Sequence, residues 1–101
     1  MPVFRIELNE SAAAEIAALP AFVRKKVVEA IPLQLRHQPN VQTRNRKILR
    51  GLVPPWEHLD PTWEIRVGDY RVFYDVDEGA GMVYIRAVRR KLPHQTTDQI
   101  L

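Results

Sequence analysis

Apolar and polar positions alternate over residues 2–8 and then recur every three to four residues, a change of period that predicts one strand followed by helices. Ile6 and Leu8 share a face of the strand. Asn9 or Ser11 can accept a hydrogen bond from the free N–H groups at a helix start, and the residues from Ser11 to Leu19 are strong helix formers. Pro20 suits the first turn of a second helix, expected from Ala21 to His37. Val23, Val27, Ile31 and Leu35 fall on one face of it, with Arg24, Lys25 and Glu29 elsewhere. Pro32 lies inside this pattern, where it removes a hydrogen bond and predicts a kink or two shorter helices. Gln38, Pro39 and Asn40 close the helical part.

Beyond this point the period falls to two. Residues 46–50 predict a short basic strand ended by Gly51, and the prolines of residues 53–61 predict an irregular loop. Three strands follow, Trp63–Val67, Tyr70–Asp77 and Met82–Arg89, and the segment after Pro93 can form one helical turn capped by Thr96 or Thr97. The order β-α-α-β-β-β-β predicts an α+β fold. Two N-terminal helices would pack on one face of a mainly antiparallel sheet of four to five strands, as a single domain over residues 1–101.

Gly68-Asp69 between two alternating runs is a two-residue hairpin signal. It sets Val67 opposite Tyr70, Arg66 opposite Arg71, Ile65 opposite Val72, Glu64 opposite Phe73 and Trp63 opposite Tyr74. Alternation then sends Trp63, Ile65, Val67, Tyr70, Val72 and Tyr74 toward the helices, and Glu64, Arg66, Arg71 and Phe73 to the other face. Facing arginines repel unless something anionic lies between them. If residues 78–81 form a four-residue loop, Val83, Ile85 and Ala87 join the core, while Tyr84, Arg86, Val88 and Arg90 join the arginines. The opposite parity would bury Arg86, at a high cost. The expected outcome is an open face of arginines with Phe73 and Tyr84 among them, suited to phosphate forks and base stacking.

Charge sharpens this picture. The formal net charge is only +3, yet eight of the fifteen basic residues fall within residues 44–50 and 86–91. Such clustering points to a polyanionic partner, and a solvated charged surface is the plain alternative. Without cysteine the chain has no disulfide, thiolate metal site or thiol nucleophile. His37 and His58 lack metal-ligand spacing, so no metal or other cofactor is expected. No apolar run reaches the length of a membrane span, and residues 1–8 read as a strand rather than a signal peptide, so the expected location is cytoplasmic.

Residues 47–52 (KILRGL), 63–76 (WEIRVGDYRVFYDV) and 83–91 (VYIRAVRRK) together resemble toxins of the RelE/ParE superfamily, from type II toxin–antitoxin modules. The similarity in element order and length runs over nearly the whole chain, and the RVGDYR segment is its most specific part. The resemblance implies a ribosome-dependent, metal-independent endoribonuclease that cuts messenger RNA. Its partners would be the ribosome, the message and a small acidic antitoxin. In that chemistry a 2′-hydroxyl attacks the adjacent phosphate, leaving a 2′,3′-cyclic phosphate, with a base, an acid and cations assisting. By similarity Arg71 and Arg90 would hold the scissile phosphate. Arg44, Arg46, Lys47, Arg50, Arg66, Phe73, Tyr84, Arg86 and Lys91 make up the RNA-facing set.

The chain also departs from the pattern. Thr62 and Glu64 stand where some ribonuclease members carry lysines, and His94, Thr96 and Thr97 stand in the region of a catalytic tyrosine. His94 reads as a general acid or as an ordinary tail residue, and Glu64 as the base or as a counter-ion for the arginines. Two other functions stay open: inhibition of DNA gyrase by binding, as in ParE-like relatives, and a degenerate member that only binds.

Overall fold

The change of period at Asn9 is the boundary between β1 (Arg5–Leu8) and α1 (Glu10–Ala17) in the computed structural model, which describes residues 3–101. Asn9 rather than Ser11 caps the helix, its side chain accepting from the Ala12 N–H at 2.7 Å. β1 is shorter than the alternation suggests. Pro2 lies outside the described residues, and the Phe4 N–H donates not to a strand but to the Arg36 carbonyl beyond the second helix, at 2.7 Å. That helix, α2 (Ala21–Leu35), runs unbroken through Pro32. The proline falls in its last turn, where one missing N–H interrupts little, and the Arg36 N–H still donates to the Pro32 carbonyl at 3.1 Å.

Five strands make one sheet. After β1 come β2 (Arg46–Leu49), β3 (Thr62–Val67), β4 (Tyr70–Asp77) and β5 (Met82–Arg90), and a short helix, α3 (Thr97–Ile100), follows. The order across the sheet is β1-β5-β4-β3-β2. β1 runs parallel to β5 and every other neighbour is antiparallel. The two N-terminal helices lie on one face, giving the α+β architecture that the change of period predicts.

The β3–β4 hairpin has the register expected from Gly68-Asp69, Val67 opposite Tyr70 through to Trp63 opposite Tyr74. Gly68 takes a φ of +58°, which a residue with a side chain adopts at a cost in a turn this tight. Trp63, Ile65, Val72, Tyr74, Val83 and Ile85 are all buried in the helix-side core with Ile16, Val27 and Ile31. Burying each such aliphatic side chain contributes roughly 1.5–3 kcal/mol relative to leaving it exposed. The Trp63 and Tyr74 rings stack 6.0 Å apart, and the Tyr74 hydroxyl donates to the Pro39 carbonyl at 2.6 Å.

The β4–β5 hairpin departs from simple alternation. Tyr74 faces Ile85 but Phe73 faces Ala87, so Arg86 is an extra residue in β5, a β-bulge. Parity reverses beyond it. Ala87, expected in the helix-side core, lies on the opposite face. Val88, expected among the arginines, is buried in the helix-side core, and Arg90 falls opposite Tyr70, on the helix-side parity. The bulge is favourable because it keeps Arg86 out of the core and seats Val88 within it. Beyond β1, the edge of β5 is covered by α1, where the Val88 N–H donates to Glu15 at 3.2 Å. Among the described residues no helix is long and apolar enough to cross a membrane.

Candidate nucleic-acid interface

Two rows of side chains cross the face of the sheet away from α1 and α2. One reads Lys47, Glu64, Phe73, Ala87 over β2 to β5, and the other reads Arg66, Arg71, Arg89 over β3 to β5. Strands lie about 4.8 Å apart, so three guanidinium stems stand side by side. The bulge builds this row. It brings Arg89, and not Arg90, level with Arg71, while Arg90 lies opposite Tyr70 and not on the arginine face where alternation put it.

Carboxylates flank the row. Arg71 is nearly buried, donating to the Gly68 and Tyr70 carbonyls at 3.0 and 2.9 Å, with its Nε 3.7 Å from Glu64. Arg89 pairs with Glu15 of α1, and its guanidinium lies 5.5 Å from the centre of the Trp56 ring. Burial lowers its pKa from the ordinary guanidinium value, although arginine stays charged in proteins. Arg66 is exposed. Glu64 is 3% exposed, and its Oε1 has no hydrogen-bond partner.

The remaining expected residues divide. Arg44, Lys47 and Arg50 are exposed along and beside β2, and Lys91 is half-buried just past β5. His94 is exposed in the turn that follows. Arg86 is committed elsewhere: it forks onto the buried Asp75 carboxylate at 2.8 and 3.1 Å, and its guanidinium sits 4.9 Å from the Tyr84 ring centre.

Two of the expected residues lie inside the fold rather than on the open face. Arg46 is one. It lies opposite Ile65, 9% exposed, and donates to the Gln34 and Val41 carbonyls at 2.5 and 3.0 Å, which ties the helical layer to β2. Phe73 is no free stacking platform, because it is fully buried in a second apolar cluster with Ala87 and Ile100, flanked by Leu49, Trp56 and Leu101. Trp56, Glu15, Asp75 and Arg89 were absent from the expected site. The adjacent apolar pair Ala87-Val88, which breaks strict alternation, was the available signal for the bulge.

A separate surface lies behind the sheet. Ile6 and Leu8 of β1, Ile16 of α1, and Val28 and Ile31 of α2 line an apolar groove of about 520 Å³, with Arg24 and Arg36 among its lining residues. Its β1 wall belongs to a strand at the edge of the sheet.

A family model described as the ParE toxin of the type II toxin–antitoxin system, parDE, matches residues 6–92. Among solved structures, the toxin–antitoxin complex RelBE2 from Mycobacterium tuberculosis is similar at 26% identity, over 90% of this chain and 94% of that one, with a TM-score of 0.71. The archaeal RelE–RelB complex from Pyrococcus horikoshii OT3 is similar at 20% identity, over 90% and 98%, with a TM-score of 0.70. The isolated E. coli RelE toxin is similar at 20% identity, over 92% and 88%, with a TM-score of 0.69. No curated protein sequence matches the chain. At 20% identity the likeness speaks for the fold alone.

Proposed function

The chain belongs to the ParE toxin family of type II toxin–antitoxin systems, and from that premise we propose that it is a toxin acting on RNA as a ribosome-dependent, metal-independent endoribonuclease. The observation that carries this reading is the Arg66–Arg71–Arg89 row. Three aligned guanidinium groups, offset only in part by Glu64 and Glu15, gain further from a phosphodiester whose charge grows during attack.

In this mechanism the RNA 2′-hydroxyl attacks its own 3′-phosphorus and gives its proton to Glu64. The bond from phosphorus to the 5′-oxygen breaks, and that oxygen takes a proton from His94, leaving a 2′,3′-cyclic phosphate. Lys47, Arg44, Arg50 and Lys91 hold flanking phosphates. A cognate antitoxin, as in the RelB–RelE complexes, would cover the helix-side groove beside Arg24 and Arg36 or the basic face itself, and an acidic one would be drawn to either by charge.

A second reading has its own support. Arg71 and Arg89 already have carboxylate neighbours and Phe73 is covered, which suits a surface that binds a protein without cutting RNA, as a gyrase inhibitor would. Primer extension on a reporter message after induction, with and without ribosomes, separates the two. Cleavage inside ribosome-bound message is the expected result. Toxicity with intact message and collapsed plasmid supercoiling would replace the nuclease by the gyrase reading.

A further inference from the structure

The sheet face that carries the arginines is half roofed. Trp56, from the loop between β2 and β3, lies over Phe73 with ring centres 5.5 Å apart, and Ile100 and Leu101 complete the apolar cluster with Ala87 and Leu49. The roof is poorly satisfied underneath. Among the described residues, the buried side-chain atoms without a hydrogen-bond partner are Trp56 Nε1, Thr62 Oγ1 and Glu64 Oε1. Thr62 and Glu64 share one parity of β3, and Glu64 faces Phe73, so the roof and the face beneath it hold all three. Trp56 Nε1 and Thr62 Oγ1 are standing costs that opening relieves, because water or a ligand can then reach them, and Glu64 Oε1 has only the Arg71 Nε at 3.7 Å for company. The roof has few anchors of its own: a helix of four residues, two aliphatic side chains and one indole.

We propose that Trp56 and the Ile100–Leu101 pair form a removable cover over the Glu64–Phe73–Ala87 row, and that single-stranded RNA is engaged only with this cover lifted, a nucleobase replacing the indole against Phe73. The inference rests on the RNA reading above and adds a gate to it. Closed, the protein shows exposed cations and a blocked base-stacking ring. Open, it shows the same cations beside an uncovered aromatic ring and a solvated Glu64 carboxylate. A binding-competent state that is only partly populated weakens apparent affinity by the populated fraction, so loosening the cover raises the rate at limiting substrate.

The absence of cysteine makes the test clean. Ala87→Cys with Ile100→Cys joins two side chains of the same cluster, and single-turnover cleavage is followed on programmed ribosomes with the pair oxidised and then reduced. The oxidised protein is expected to lose cleavage at least tenfold and regain it on reduction. Equal cleavage in both states overturns the gate. The converse variant, Ile100→Ser with Leu101→Ser, should cleave about tenfold faster at limiting ribosome concentration. In it acrylamide should quench Trp56, since Trp63 stays buried in the helix-side core. Free quenching of Trp56 with an unchanged rate overturns the gate as well. If the wild type itself leaves ribosome-bound message uncut, the RNA reading falls and the gate with it, whereas a cutting wild type with an indifferent cover removes the gate alone.

Discussion

Neighbouring residues in β2 show how far one step along a strand changes a basic side chain. Arg46 faces Ile65 and is spent on two carbonyls, while Lys47 faces Glu64 and is exposed. Arg46→Met should therefore destabilise the fold by about 2–4 kcal/mol, through two stranded carbonyls and lost packing, as read in urea melts. Lys47→Met should leave the melt unmoved and weaken RNA engagement. Tyr74 makes a second prediction. Burial raises its hydroxyl well above the ordinary tyrosine range, against a smaller opposing effect of Arg46. A raised folded value means stability that is complete below the unfolded value of about 10 and falls as pH rises above it, by up to about 1.4 kcal/mol per pH unit. Urea melts between pH 9 and 11 should show this fall, and Tyr74→Phe should abolish it while costing about 1–2 kcal/mol at neutral pH through the unpaired Pro39 carbonyl.

At the scale of elements the bulge in β5 decides which arginine stands level with Arg71 on the open face. Arg86 occupies the bulge with its guanidinium on Asp75, which is 1% exposed. Arg86→Ala should cost about 3–5 kcal/mol by leaving that carboxylate buried and alone. Adding Asp75→Asn should recover much of the loss, and a double-mutant cycle in thermal melts measures the coupling. The first hairpin was fully legible in the sequence, because its turn is two residues long and permits one register. The second was legible only as far as Ile85. A longer loop leaves the pairing looser, and one inserted residue reverses every side chain after it, so Ala87, Val88 and Arg90 were assigned to the wrong faces. The burial of Phe73 was illegible for another reason: its cover comes from Trp56 and Ile100, a loop and a short helix that alternation does not describe. The kink that Pro32 predicts is absent because the proline already sits in the last turn of α2.

At the scale of the molecule the arginine row and its surrounding cations act as one field. If Arg66, Arg71 and Arg89 each neutralise a phosphate, affinity for single-stranded RNA should fall with salt, and Arg66→Ala should reduce the slope of log affinity against log salt by about 0.7. A slope equal to that of the wild type would remove Arg66 from the contact. The parallel pairing of β1 with β5 carries a different consequence, for biosynthesis. Ile6 pairs with Val83, and the arginine row is complete only with Arg89. During synthesis, at about 5–20 residues per second, the first strand must wait for nearly the whole chain before it finds its neighbour. Contacts this distant in sequence also form slowly. A nascent copy therefore cannot close its sheet, or bring Arg66, Arg71 and Arg89 level, until the fifth strand has left the ribosome that makes it, several seconds after the first.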